Sequence, residues 1–136
     1  MAKLRFELVS PERTLASVDA DMVVVPGYEG DFGVLIQHSP VMSLLRPGVI
    51  AIYQGDTVDQ KIFVGDGFAE VNEESCIVLA ESATPVDQID VAAAQKVIAD
   101  ARDDLGMLAA DDEAGRAKLE KTIAIHETMI EVAQAA

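Results

Sequence analysis

Apolar and polar residues alternate along the first part of the chain and then change period. Within residues 3–9 every second position is apolar, with Leu4, Phe6 and Leu8 on one face and Lys3, Arg5 and Glu7 on the other. A period of two marks a half-buried strand. Val18, Ala20, Met22 and Val24 continue that period up to a turn at Pro26 and Gly27. Residues 49–53 and 61–64 read as strands flanking a polar turn at 54–60, and residues 68–71 and 76–80 as a hairpin joined through 72–75. Short strands recurring about every ten residues predict an antiparallel β-sandwich or barrel.

Beyond residue 86 the steps become three and four. Ile89, Ala93 or Ala94, Val97, Ala101, Leu105 and Leu108 form one stripe, and Leu119, Ile123, His126, Ile130 and Ala133 a second. Asp87 can cap the first helix, with Asp90 in its first turn, and Asp111, Asp112 and Glu113 supply a cap and an acidic start for the next. Gly106 and Gly115 lie near the connection, so the pattern predicts an antiparallel two-helix hairpin, each helix about 20 residues and roughly 30 Å long. Composition shifts at the same place. All five prolines and seven of nine glycines precede residue 86, whereas thirteen of twenty alanines follow residue 85. Proline and glycine punctuate strands and alanine favours helix. The expected class is therefore α+β, mainly β, with a sandwich domain at 1–85 and a helical hairpin at 86–136. A hairpin this short of apolar bulk should be marginal alone, and a weakly held element is where a switch can live.

Charge and chemistry narrow the function. Twenty-four acids against ten bases give a net charge of −14, which repels nucleic acid and anionic lipid. One cysteine excludes an internal disulfide and a cysteine-based zinc site, and two histidines far apart give no metal cluster. No apolar run approaches the ~18 residues of a membrane span, and the first residues resemble neither a signal nor a transit peptide. The expectation is an acidic, soluble, intracellular protein without catalytic residues, metal or cofactor.

Residues 23–48 are the densest segment. Gly27, Gly30 and Gly33 invite a phosphate-loop reading, but Glu29 and Asp31 would repel phosphate and no basic residue occurs until Arg46. A tight exposed turn is the better reading. Asp31 with His38 lacks a nucleophile in an elbow context, since Ser39 and Ser43 sit in none, so His38 reads as structural or interfacial. His126, on an apolar stripe, reads as a packing residue with a pH-sensitive contact as the alternative. Glu70 and Glu81 should face solvent, and Cys76 the core.

The string PGYEGDFGVL at 26–35, followed by His38, Pro40 and LRPG at 45–48, resembles the hallmark of the epsilon subunit of F-type ATP synthases, the counterpart of the mitochondrial delta subunit. FVGDGFAEV at 63–71 and VLAESA at 78–83 resemble two later strands of the same family. The wording and the start of the chain are closest to bacterial members near the mitochondrial lineage. The resemblance implies a ten-stranded sandwich followed by a two-helix domain, in a non-catalytic central-stalk subunit at the cytoplasmic face of the bacterial inner membrane. Carried onto this chain, it sets Glu29, Gly30, Asp31, Phe32 and Gly33 against the c-ring, and His38, Ser39 and Pro40 near the gamma subunit.

In family members the hairpin can leave the sandwich and inhibit ATP hydrolysis in the alpha/beta head, which would draw on Arg116, Lys118 and Lys121 here. Acids at Glu113, Glu120, Glu127 and Glu131 offset those bases. The family's nucleotide motif Ile-Asp-x-x-Arg-Ala is partly matched, at Ile89 and Asp90, with Ala93 and then Ala94 following. Ala93 stands where the arginine would be, so no nucleotide is expected. The rival reading is a stand-alone nucleotide-sensing or small-ligand-binding module on the same scaffold.

Overall fold

The computed structural model describes residues 2–135. Contacts divide the chain into two compact units, the first ending at Val86 and the second beginning at Asp87. The first holds ten strands: β1 (Leu4–Val9), β2 (Thr14–Ala20), β3 (Met22–Gly27), β4 (Gly30–Val34), β5 (Val41–Leu45), β6 (Gly48–Gln54), β7 (Thr57–Val64), β8 (Gly67–Val71), β9 (Ser75–Ala80) and β10 (Ala83–Pro85). They pair in the order β10-β7-β6-β3-β5-β8-β9-β1-β2, with β4 hydrogen-bonded to β3. Strands β3 and β5 meet only through Gly27 opposite Leu45. The sheet folds over at that corner into two layers.

Inward-facing residues of both layers close one core. Leu4, Phe6 and Leu8 of β1, Val23 and Val25 of β3, Ile50 and Ile52 of β6, and Cys76 and Val78 of β9 are all essentially inaccessible to solvent. Their alternation with exposed neighbours is what the period of two required. One pairing departs from the antiparallel expectation: β1 runs parallel to β9, with Phe6 opposite Cys76 and Leu8 opposite Val78. More than sixty residues separate these strands, ample for a crossover.

Two local readings are corrected. The period running from Val18 to Val24 is not one strand, because the chain turns at Asp21 between β2 and β3. The Asp21 carboxylate accepts a 2.5 Å hydrogen bond from the Gly55 amide and lies 3.7 Å from Lys3 Nζ, tying that turn to the β6–β7 connection. The expected polar turn at 54–60 contracts to Gly55 and Asp56, with Gly55 at φ 65°. Asn72 closes the β8–β9 hairpin by accepting from the amides of Glu74 and Ser75, the side-chain turn that asparagine favours.

The second unit is a hairpin of α1 (Val91–Met107) and α2 (Glu113–Ala135). Asp90, not Asp87, caps α1: its carboxylate accepts from the Ala93 amide at 3.0 Å, while Asp87 lies in the short 3-10 turn Val86–Gln88. Asp112 does the same for α2 through the Gly115 amide at 2.9 Å. Helix α1 buries Ala94, Ile98 and Ala101, so the stripe runs through Ile98 rather than the exposed Val97. Helix α2 buries no side chain completely.

Candidate interaction surface

The surface is built from the end of β3. Gly27 pairs with Gly30, leaving Tyr28 and Glu29 as a two-residue connection into β4. Gly30 sits at φ 147°, a conformation that side-chain-bearing residues rarely adopt. Residues 30–33 are thus strand rather than turn, and only Tyr28 and Glu29 form the tip, a correction to the reading of Gly30–Gly33 as turn residues. Tyr28 is 71% exposed. Glu29 makes no hydrogen bond or ion pair among the described residues.

Arg46, just beyond β5, ties this tip down. Its Nη1 donates to Gly27 O at 2.7 Å and its Nη2 to Asp31 Oδ1 at 2.5 Å. The Arg46 amide donates to Pro26 O at 3.0 Å, and the Tyr28 amide to Leu44 O at 2.8 Å. A planar guanidinium reaches two acceptors at once, which an ammonium does not do in the same geometry.

Residues expected to face two different partners line one surface. The Phe32 and His38 ring centroids are 6.5 Å apart. His38 lies 2.7 Å from Ser39 O through Nδ1, which places the proton of the neutral ring on that nitrogen. Gly27–Phe32 and His38–Leu44 enclose an open groove of about 970 Å³. The tip and the His38–Pro40 segment are therefore neighbours.

Beside the groove lies an apolar face that sequence reasoning passed over. Leu44 pairs with Phe68, Phe68 with Leu79, and Leu79 with Val9, giving an unbroken apolar row across four strands on the side away from the core. Met42 is 69% and Leu44 67% exposed, and they flank a shallow cavity of about 320 Å³ with Ser43 and Phe68. The available signal was VMSLL at 41–45, which carries large apolar residues on both faces of one short strand.

The hairpin holds the remaining predicted residues. The Asp90 carboxylate serves as a helix cap, Ile89 is half-buried, and Ala93 is exposed with no guanidinium to offer phosphate. Arg102 lies 3.6 Å from Glu127, and with Gln95 and Glu131 they line a cavity of about 400 Å³. Arg116, Lys118 and Lys121 lie on exposed positions of α2. His126 is half-buried, its Nδ1 2.7 Å from Thr122 O one turn earlier. Among the described residues no three His, Cys, Asp or Glu side chains converge as a metal site, and no helix is long and apolar enough to cross a membrane.

Residues 3–86 match the family described as ATP synthase, Delta/Epsilon chain, beta-sandwich domain. The ATP synthase epsilon chain of Paramagnetospirillum magneticum is 56% identical over 87 residues, covering 64% of this chain and 65% of that protein. That of Maricaulis maris is 45% identical over 131 residues, 96% of each chain. A chain in a cryo-EM structure of the Euglena gracilis mitochondrial ATP synthase that includes its c-ring shares the fold, with a TM-score of 0.76 at 24% identity over 98% of this chain and 82% of its own length. A two-layer sandwich followed by a helical hairpin, with sequence identity spanning both, places this chain in the ATP synthase epsilon-chain family.

Proposed function

We propose that the chain is a non-catalytic rotor subunit of an F-type ATP synthase, peripheral on the cytoplasmic face of a bacterial inner membrane. In this reading the β3–β4 tip meets the polar loops of the c-ring, and the groove with its apolar row seats the gamma subunit. The observation that carries it is the continuity of that surface: a held acidic tip, the Phe32–His38 contact, and the exposed Met42 and Leu44 adjoin one another. An apolar face of this kind suits a permanent partner, and an acidic tip suits a charged, moving one. Torque then passes through contacts rather than chemistry.

The hairpin is the proposed regulatory arm. It buries three side chains on α1 and none completely on α2, so little burial holds it in one arrangement. Arg116, Lys118 and Lys121 are the groups that would meet an acidic region of the alpha/beta head. Replacing Glu29 and Asp31 together by lysine tests the ring contact. Proton pumping per ATP hydrolysed should fall severalfold while the isolated chain still melts cooperatively. Unchanged pumping in that double variant overturns the assignment of the tip to the ring.

A further inference from the structure

We infer that Arg46 is a positioning residue, bridging Gly27 O and Asp31 Oδ1 so that the β3–β4 tip is stiffened and Glu29 is left as its outward-facing charge; this rests on the reading of the tip as the ring contact. The two acids of the tip look equivalent in the sequence, and the structure separates them. Asp31 is engaged by a guanidinium at 2.5 Å, whereas Glu29 has no partner among the described residues. Counting Glu29, Asp31 and Arg46 together, an approaching basic loop meets one net negative charge, located on Glu29. Asp31 acts inward.

The need for a clamp follows from composition. Gly27, Gly30 and Gly33 lie within seven residues, and glycine has more backbone freedom to lose than any other residue. A free tip of this kind would lose that freedom on each encounter with the ring, weakening the contact. The clamp removes it beforehand, because Arg46 is anchored at its own backbone through Pro26 O, with the neighbouring Leu44 O bonded to Tyr28. Surface ion pairs contribute little as pairs, and both partners here are substantially exposed. The second bond, to the carbonyl of the buried Gly27, is what makes this a strut rather than a pair.

The test uses the full chain and then the reconstituted enzyme. Amide hydrogen exchange at Tyr28 should rise about tenfold in Arg46→Gln, in line with losing one charge-assisted hydrogen bond. Arg46→Lys should fall between the two, since it keeps the charge and loses the fork. The exchanged pair Asp31→Arg with Arg46→Asp restores an ion pair but puts no donor at 46 for Gly27 O, so protection should stay low, and its recovery there would overturn the strut. Glu29→Lys should leave exchange unchanged and still lower pumping. Unaltered exchange in Arg46→Gln overturns the clamp. Raised exchange with normal pumping in Arg46→Gln, while Glu29→Lys is impaired, overturns its positioning role. Raised exchange with normal pumping in both Arg46→Gln and Glu29→Lys instead overturns the ring contact.

Discussion

Removing both large side chains from the outer face of β5 isolates the energetics of the apolar row. Met42 and Leu44 are 69% and 67% exposed, so about two thirds of each side chain is still available to be covered by a partner. Full burial of a leucine or methionine side chain is worth roughly 1.5–3 kcal/mol, and two thirds of that is about 1–2 kcal/mol per residue. If this face seats the gamma subunit as proposed, Met42→Ala with Leu44→Ala should therefore weaken that association by roughly 2–4 kcal/mol, about 30- to 900-fold in Kd. The loss of rigid-body freedom on binding is common to both proteins and cancels in the difference. The isolated chain should hardly notice, because substitutions at exposed positions shift stability by about 0.5 kcal/mol or less. Calorimetric titration of purified gamma subunit, with thermal melts of each variant beside it, reads both quantities. A Kd within threefold of the parent at an unchanged melt would refute the reasoning.

Three further outcomes follow from the packing. A Cβ on Gly67, which sits at φ 158°, would fall on the carbonyl oxygen of Leu79 in the paired strand, so Gly67→Ala should lose on the order of 3 kcal/mol in urea unfolding. A loss under about 0.5 kcal/mol would show that β8 and β9 can move apart freely. The Gly55 amide, and then Lys3, hold the Asp21 carboxyl below its usual range. A depressed native value gives stability that is present above the unfolded-state value of about 3.9 and lost as the pH falls through the native one. Asp21→Asn should flatten the acid limb of the stability curve below pH 4, and an identical limb in both proteins would remove that network from the account. Burial pushes the Cys76 thiol up to about 12, so it should resist thiol reagents at pH 8 until the chain unfolds. Labelling at the rate of an exposed cysteine would contradict the closed core around β9.

What the sequence made legible follows from where burial is one-sided. Leu4, Phe6 and Leu8 alternate with charged residues because β1 has a dry face and a wet one, and period is the record of that difference. Strands β4 and β5 leave no such record. Each buries a single residue, Val34 in β4 and Leu45 in β5, while the outward positions of β5 carry Met42 and Leu44. An outer face built to be covered looks like a core face in the sequence. Partner choice is likewise invisible, since alternation is the same whether β1 lies parallel or antiparallel to β9. The acids of the tip were readable as charges. The arginine that separates their roles lies fifteen residues from Asp31 and reaches it only because the sheet folds over where Gly27 meets Leu45.

The two units are stabilised by different parts of the physics, and that difference bears on the proposed division of labour. The sandwich depends on non-local burial: residues of nine strands close one core, and no strand persists without its neighbours. The hairpin's helices are specified locally. Asp90 and Asp112 cap their own helix starts, Thr122 and Thr128 bond back to the carbonyls of Lys118 and Ala124, and ten of the forty residues of α1 and α2 are alanine. Of the three side chains α1 buries, two are alanines, so little area is lost to solvent if α1 changes its neighbours. An element whose secondary structure is local and whose tertiary hold is weak can exchange contacts without being rebuilt. A rotor part that transmits torque requires the opposite, a rigid layer with a fixed face. The proposed coupling surface lies on the unit that non-local packing makes rigid, and the proposed regulatory arm is the unit that it does not.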